Sequence, residues 1–261
     1  MVASTFYKLE SSGNDFILFD GRKEAINLSP QQIPQLCDRH FGIGGDQLLL
    51  LNTNEQGALS LQLYNRDGSN AKQCGNALRA ISHYLFTDTP EETLHLLVGK
   101  ERMKLSREGA TRYKVIFSPP TFSPLPQGLL SIIEGNPPIS HINTGNSHIV
   151  IWQKEIDSID LPSLAYRIAA GKYFPDGINI HVVAKEGPCA ISIRHFERGA
   201  GETLACGSGA IAAVFDGQQN RGIENSVTVG FKKDTVEVQK TPHGYALIGG
   251  GNLVFQGKIT L

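Results

Sequence analysis

Short apolar runs separated by turn residues dominate the chain and predict a fold built mainly of β-strands. In the first half, strands are predicted for the runs FILFDG, QLLLL, LSLQLY and KVIF. In the second half, they are predicted for the runs HIVIW, INIHVV, AISIRHF, SVTVGF, DTVEVQK and YALIGGGNLVFQGKITL. The alternation of these strands with a small number of helical segments indicates the mixed α/β (α+β) class.

Two helices are predicted, and each begins directly after a cysteine. The segment 210–215, which follows Cys206, is apolar all round, so we expect that helix to be enclosed by other elements. The apolar residues after Cys74 recur at helical spacing, namely Ala77, Leu78, Ile81, Tyr84 and Leu85. Both cysteines therefore stand at the point where a turn becomes a helix.

The two halves are related by an internal repeat. The dipeptides at Gly13 and Cys74 recur at Gly145 and Cys206, each 132 residues later (145 − 13 and 206 − 74). In the same ungapped frame, GDQL at 45–48 falls on GINI at 177–180, and LYNR at 63–66 falls on HFER at 195–198. Several matches in one register predict two structurally similar halves. The proline-rich segment 117–128 lies near the middle, where a linker is expected.

Composition and charge limit the classes of function. Of the 261 residues, 40% are apolar and 19% charged, which is enough apolar material to form a core. Lys and Arg total 24 against 25 Asp and Glu, so no strong field favours nucleic acid or an anionic membrane. The longest apolar run, Leu48–Leu51, is far too short to span a bilayer. We expect a cytoplasmic protein, without nucleic-acid or membrane partners, that acts on small molecules.

The four cysteines fall into two groups. None belongs to a C-x-x-C pair, so neither a zinc site nor a disulfide framework is indicated, and no metal is expected. Cys37 and Cys189 lie within ordinary apolar patterns and are expected to be inert and buried. Cys74 and Cys206 each precede a glycine at a helix start. There, unpaired N–H groups and the helix dipole favour a thiolate or a bound carboxylate.

Two such thiols, one from each similar half, suit one reaction class. Inversion of a carbon centre without a cofactor requires a base on one face and an acid on the other. If the halves face each other across a cleft, Cys74 and Cys206 could fill these exchangeable roles, while the helix starts hold the substrate carboxylate. The segment GAGETLACGSG lacks the spacing and lysine of nucleotide-binding loops, so we expect no cofactor.

The motifs together resemble the diaminopimelate epimerase family over nearly the whole chain. The matching segments are GNDF, GIGGDQ, YNRDGS with QCGN, GNSH, GINI and ERGAGETLACGSGA. The resemblance implies two pseudo-symmetric domains, each a β-barrel-like sheet around a central helix, at 1–120 and 121–251. It also implies that a C-terminal strand, 252–261, returns to the first domain. The implied activity is cofactor-independent interconversion of LL- and meso-2,6-diaminopimelate, for lysine and peptidoglycan synthesis, with a homodimer as the candidate assembly.

The resemblance also implies a role for individual residues. Cys74 and Cys206 match the acid/base pair, and His148 and Glu197 match groups that adjust the pKa values of the two thiols. Helix starts that hold the reacting carboxylate are matched by Gly75, Asn76, Gly207 and Ser208. Polar groups that recognise the substrate are matched by Asn14, Gln47, Asn65, Asn146, Asn179 and Arg198.

The chain departs from the family pattern at two places that bear on substrate range. Ala77 stands where the family usually has glycine, and Ser147 stands where it commonly has proline. Two alternatives therefore stay open. One is a related two-cysteine racemase acting on proline, hydroxyproline or glutamate. The other is a non-catalytic protein that binds an amino acid or senses redox state through the two thiols.

Overall fold

The chain divides into two units of similar size. The computed structural model describes residues 3–71 and 73–261. Unit 1 comprises the residues up to Ile116 together with Ile248–Leu261, and unit 2 comprises Phe117–Leu247. The boundaries between the units lie a few residues before the expected division at 120/121 and 251/252, which stays a prediction.

Unit 1 contains a sheet that wraps around one long helix. Its helices are α1 (Gln32–Cys37) and α2 (Gly75–Thr87). Its strands are β1 (Ala3–Ser11), β2 (Asn14–Asp20), β3 (Gln47–Thr53), β4 (Leu59–Asn65), β5 (Asn70–Ala71), β6 (Thr93–Val98), β7 (Glu101–Arg107) and β8 (Arg112–Phe117), with β18 (Asn252–Thr260) from the end of the chain.

Unit 2 has the same plan. Its helical elements are a 3₁₀ turn (Leu129–Ile132), α3 (Leu161–Ala170) and α4 (Gly207–Asn220). Its strands are β9 (Thr121–Ser123), β10 (Ile139–Asn143), β11 (Ser147–Trp152), β12 (Asn179–Gly187), β13 (Ala190–Glu197), β14 (Gly201–Glu202), β15 (Ser226–Gly230), β16 (Thr235–Thr241) and β17 (Gly244–Gly250). The strands β8 and β17 run through the boundaries between the units.

The strand pairings repeat from one unit to the other. In unit 1 the order is β18-β1-β2-β3-β4-β6-β7-β8, with β2–β3 and β4–β6 parallel and the other neighbours antiparallel. In unit 2 the order β9-β10-β11-β12-β13-β15-β16 has β11–β12 and β13–β15 parallel. The predicted repeat is confirmed, and the starts of α2 and α4 keep its spacing of 132 residues (207 − 75).

Both long helices are enclosed, as predicted for the second. The helix α4 packs against β10, β11, β12 and β16, and Ala210–Val214 are buried on every side. The helix α2 packs against β1, β2, β7 and β18, and a larger share of its residues is buried than in α4, although its sequence is more amphipathic. The sequence of α2 looks more amphipathic because it contains polar residues, but three of these, Asn76, Arg79 and Ser82, are themselves buried.

The predicted strands are present, and the chain contains further elements that the apolar pattern missed. The helix α3 follows Asp160, whose carboxylate accepts the N–H of Ser163 at 3.1 Å and so caps the first turn. Within the expected linker, β9 pairs with β10, so this proline-rich segment contributes to the sheet of unit 2. Among residues 3–71 and 73–261, we find no helix of the length and apolarity needed to cross a membrane.

The two cysteines expected to be inert differ in burial. Cys37 is buried in the core of unit 1, and burial raises the pKa of its thiol to about 11. The prediction of burial is wrong for Cys189, which is exposed in the turn between β12 and β13. The local apolar pattern could not distinguish a strand end from a strand interior.

Candidate active site

Cys74 caps the N-terminus of α2. Its backbone is extended (φ −147°, ψ 111°), which turns its side chain back over the first helical turn. The sulfur Sγ accepts the N–H of Ala77 at 3.4 Å and donates to Asn14 Oδ1 at 3.8 Å. Because Cys74 is only half-buried, a ligand can reach a sulfur that already lies at the positive end of the helix.

A buried arginine supports the residues beside Cys74. Arg79, one turn along α2, donates from Nη2 to Asn76 Oδ1 at 2.7 Å and to Ser12 Oγ at 3.1 Å. Asn76 Nδ2 in turn donates to Asn14 Oδ1 at 3.5 Å. Arg79 therefore fixes the direction of the Asn76 amide and, through it, that of Asn14. Sequence reasoning assigned no role to Arg79, because an arginine in a predicted helix usually lies on the exposed face.

Two further amides predicted to bind substrate lie on neighbouring strands. Gln47 begins β3 opposite Asn65 at the end of β4, and Gln47 Nε2 donates to Asn65 Oδ1 at 3.0 Å. The other Gln47 atom, Oε1, is buried without a hydrogen-bond partner. The strand register thus brings both amides to one end of the sheet.

An ion-pair network holds the loop before β3. Arg39 contacts Asp15 Oδ1 at 2.7 Å and Asp46 Oδ1 at 2.8 Å, and Asp46 Oδ2 accepts from Asn14 Nδ2 at 2.7 Å. Burial alone would raise the pKa of Asp15, but hydrogen bonds from Arg39 and Lys8 hold it well below its usual range. With Oδ1 facing Cys74 and Nδ2 facing Asp46, both ends of the Asn14 amide are engaged.

Cys206 is the N-cap residue of α4, but unlike Cys74 its side chain makes no capping hydrogen bond. Its backbone is extended (φ −132°, ψ 104°), and Sγ lies 3.6 Å from Ser208 Oγ. Burial raises the pKa of the Cys206 thiol well above its usual range, and the Glu197 carboxylate beside it raises it further. The Ser208 hydroxyl and the Gly209 N–H act in the opposite direction without reversing the shift.

The helix start lowers the pKa of the Cys206 thiol as expected, but burial outweighs this effect and the net shift is upward. Desolvation disfavours the thiolate more than one helix terminus favours it. A carboxylate next to the sulfur adds repulsion between like charges. The buried Cys206 consequently holds a proton at neutral pH, whereas Cys74 is partly open to solvent.

In unit 2, Asn146 occupies the position of the repeat that Asn14 occupies in unit 1, and it lies beside His148. Gly145 has a left-handed backbone (φ 99°), as Gly13 does (φ 83°), so both repeat copies use glycine to turn the chain before the asparagine. His148 is buried in β11, and its Nε2 lies 2.8 Å from Asn146 Oδ1. Its Nδ1 lies 2.8 Å from Nε2 of His181 on β12.

Asn179 connects the ends of three strands. Its Nδ2 donates to Ser147 O at 3.1 Å, and its Oδ1 accepts the N–H of Arg198 at 3.1 Å. The exposed Arg198 side chain crosses Gly177, where an added Cβ would lie 2.5 Å from Arg198 Cδ, and Nη1 donates to Asp176 O at 2.5 Å. Asn146, His148, Asn179 and Glu197 thus lie at one end of the sheet of unit 2.

The remaining predicted residues belong to the first turns of the two helices. Gly75 and Asn76 follow Cys74, and Gly207 and Ser208 follow Cys206. The first N–H groups of a helix have no partner within the helix and can bind a carboxylate. Ala77, the departure from the family pattern, is fully buried in α2. Its methyl group therefore packs inside unit 1.

We expect unit 2 to lose stability in mild acid because His148, His181 and His195 are buried close together. Burial lowers the pKa of His148 to about 3 and of His195 to about 4, and lowers the pKa of His181 well below its usual value. No proton-linked cost arises above pH 6.5. As the pH falls below that value, the unfolded chain takes up protons that the folded protein excludes, so the free energy of unfolding decreases by about 1.4 kcal/mol per pH unit for each histidine. This decrease continues to about pH 4 for His195 and about pH 3 for His148.

Urea unfolding at pH 7.5, 6 and 5 measures this dependence. His195→Phe should flatten the decline, and the exposed His243→Phe should leave it unchanged. Equal stability of the unmodified protein at pH 7.5 and pH 5 would contradict the prediction.

Comparison with known proteins decides the family. A family model described as diaminopimelate epimerase matches residues 6–121 and 140–254, which is most of the chain. The chain belongs to the diaminopimelate epimerase family. Membership makes it an isomerase of the amino-acid epimerase type, and the two matched segments include each capping cysteine and its helix start.

Curated members of the diaminopimelate epimerase family resemble the chain over its full length. The enzyme of that name from Pelotomaculum thermopropionicum is 34% identical and covers 97% of this chain and 98% of its own. The one from Leptospira biflexa is 29% identical over 98% and 99%. The resemblance inferred from the motifs is confirmed.

Solved structures show that the fold is shared more widely than the family. A phenazine biosynthesis protein of the PhzF family from Bacillus anthracis superposes with a TM-score of 0.75 at 12% identity, covering 100% of both chains. A hydroxyproline epimerase from Agrobacterium vitis, with bound trans-4-hydroxy-L-proline, gives 0.70 at 10% identity, covering 98% and 92%. At such identities the likeness establishes the predicted diaminopimelate epimerase-like fold alone.

Proposed function

We propose that the chain interconverts LL- and meso-2,6-diaminopimelate, without a cofactor, by proton transfer at one α-carbon, and so serves lysine and peptidoglycan synthesis. The observation that carries the proposal is the repeated cap. Each unit presents a cysteine at the first turn of an enclosed helix, in the same register of the repeat. Inversion requires one acid and one base of similar strength, which two thiols provide.

The mechanism requires the two thiols to act on opposite faces of the same carbon. One thiolate removes the α-proton while the other thiol delivers a proton to the opposite face, and the roles exchange in the reverse reaction. The protonated resting state of Cys206, imposed by burial and by Glu197, suits the direction in which Cys74 is the base. The helix starts stabilise the charge that develops on the carboxylate as the proton leaves.

The polar residues around each thiol support a substrate with a distal amino-acid group. A small ring substrate such as proline has no distal polar groups that could bind Asn65, Asn179 and Arg198. In the proposal, Arg198 binds the distal carboxylate with its guanidinium fork. The amides of Asn14, Gln47, Asn65, Asn146 and Asn179 hold the remaining polar groups of the substrate.

The test is incubation of the reduced protein with LL-diaminopimelate in D2O, with the configuration and the deuterium content of the α-carbon followed together. We expect meso product carrying deuterium at the inverted carbon. Lysine, which lacks the distal carboxylate, serves as the matched control substrate and should be inverted much more slowly. Arg198→Met should reduce the difference in inversion rate between diaminopimelate and lysine.

Proline, hydroxyproline and glutamate are assayed in parallel. Inversion of one of these without inversion of diaminopimelate would replace the proposal with the racemase alternative. Absence of both inversion and exchange for every substrate would leave the binding or redox-sensing alternative.

A further inference from the structure

A line of three polar side chains runs from the core of unit 2 to its surface. His181 Nε2 lies 2.8 Å from His148 Nδ1, and His148 Nε2 lies 2.8 Å from Oδ1 of the exposed Asn146. Both histidines are buried. The motif resemblance accounts for His148 and Asn146 but assigns nothing to His181.

The hydrogen bonds in this line have a defined direction. Asn146 Oδ1 also accepts from Thr144 Oγ1 at 2.9 Å, so the proton shared with His148 belongs to His148 Nε2. A neutral His148 then has a bare Nδ1, which accepts from His181 Nε2–H. His181 Nδ1 is buried without a partner, and a bare lone pair there costs less than an unpaired N–H.

Burial keeps both rings neutral, as this direction requires. It lowers the pKa of His148 to about 3 and that of His181 well below its usual value, and the neighbouring histidines act in the same sense. These neighbours are His141, and His195, whose ring centroid lies 5.9 Å from that of His181. At neutral pH, the line therefore sets orientation and carries no net charge.

His181 also supports the helix start that carries the second thiol. A Cβ added to Gly209 would lie 2.2 Å from Cε1 and 2.7 Å from Nδ1 of His181, so the ring lies directly against the α4 backbone. Gly209 lies in the first turn of α4, three residues after Cys206. One buried ring thus contacts the supports of both Asn146 and Cys206.

We infer that His181 is a positioning residue for the epimerase reaction. Its Nε2–H holds His148 in the tautomer protonated at Nε2, and His148 in turn holds the Asn146 amide with Nδ2 turned towards the substrate. Without this donor, His148 can take the other tautomer, and its bare Nε2 then favours the reversed Asn146 amide. The inference rests on the proposed function only for the contact between Asn146 and substrate.

Two matched substitutions test the hydrogen-bond donor of His181 and its ring separately. His181→Gln keeps an N–H near the Nε2 position, whereas His181→Phe keeps a ring against Gly209 and loses the donor. We expect His181→Phe to raise KM for diaminopimelate about tenfold, the effect of one lost polar contact, with a smaller change in kcat. His181→Gln should stay within about threefold of the unmodified protein. His83→Phe, in the last turns of α2, is the control for loss of a half-buried histidine.

Nitrogen-15 chemical shifts of the His148 ring report the tautomer directly and need no substrate. The unmodified protein and His181→Gln should show Nε2–H, and His181→Phe should show a mixture. Circular dichroism checks folding. If the phenylalanine variant fails to fold, His181→Asn takes its place, because its shorter amide cannot reach His148 from the Nε2 position.

The inference is overturned if His148 carries its proton on Nδ1 in the unmodified protein, or if the tautomer and KM do not change in His181→Phe. A tautomer mixture without a change in KM overturns the orienting role. If His181→Phe shows a tautomer mixture but the unmodified protein inverts no diaminopimelate, the positioning of His148 by His181 is supported and the proposed substrate is refuted.

Discussion

Serine in place of Cys206 lowers kcat for epimerisation by about 10²- to 10⁴-fold, the usual contribution of a positioned acid or base. A hydroxyl is a much weaker acid than a thiol, so it neither delivers the proton nor accepts one in the reverse direction. Cys74→Ser should have an effect of similar size, because the two residues exchange roles with the direction of the reaction. Initial rates in both directions, with each stereoisomer as substrate, measure the loss.

Isotope exchange distinguishes this mechanism from general damage to the site. With Cys206 replaced, Cys74 can still remove an α-proton and return deuterium to the same face, so one isomer should exchange without inverting. The Cys74 variant should show the complementary preference. Cys189→Ser, at the exposed cysteine, is the control and should retain full activity. Epimerisation that survives both active-site substitutions would refute the two-thiol mechanism.

Leucine in place of Arg79 destabilises unit 1 by about 3 kcal/mol. Arg79 is fully buried, and its guanidinium donates to Asn76 Oδ1, Ser12 Oγ and Gly250 O. Leucine removes the guanidinium donor from all three oxygens, of which Gly250 O keeps the Ser11 hydroxyl at 2.8 Å. Buried hydrogen bonds that involve a charge contribute about 1.5 to 3 kcal/mol. Chemical denaturation followed by far-UV circular dichroism gives the free energy of unfolding.

The position-specific control is Arg102→Leu on β7, where the side chain is exposed and the expected change is within about 0.5 kcal/mol. Arg79→Lys, which keeps the charge but not the planar fork, should be intermediate. Equal stability of Arg79→Leu and Arg102→Leu would show that the buried contacts contribute nothing.

Sequence reasoning located the capping cysteines and the repeat, because both depend on residue identity at fixed spacing. It could not locate Arg79 or His181. A polar residue within an enclosed helix or strand has the same local pattern as one on a solvated face, and only the tertiary packing distinguishes them. Asp216 is a third example, a buried carboxylate of α4 that accepts from Ser140 Oγ and Asn220 Nδ2 at 2.7 Å each.

The direction of the Cys206 pKa shift could not be predicted from the sequence for a related reason. The sequence shows a helix start, which lowers the pKa of a thiol, but not the depth of burial, which raises it. Glu197 belongs to the same motif and was expected to adjust a thiol. Its position next to Cys206 gives that expectation a direction, because a carboxylate beside sulfur favours the protonated form.

The pairing of β1 with β18 constrains the order in which the protein can mature during translation. Glu10 pairs with Asn252, and their side chains hydrogen bond at 3.1 Å although 242 residues separate them in the chain. Unit 2 is continuous in sequence, so all of its residues have been synthesised before β18 is made. The edge of β1 that pairs with β18 therefore stays unpaired on the nascent chain until β18 has emerged from the ribosome.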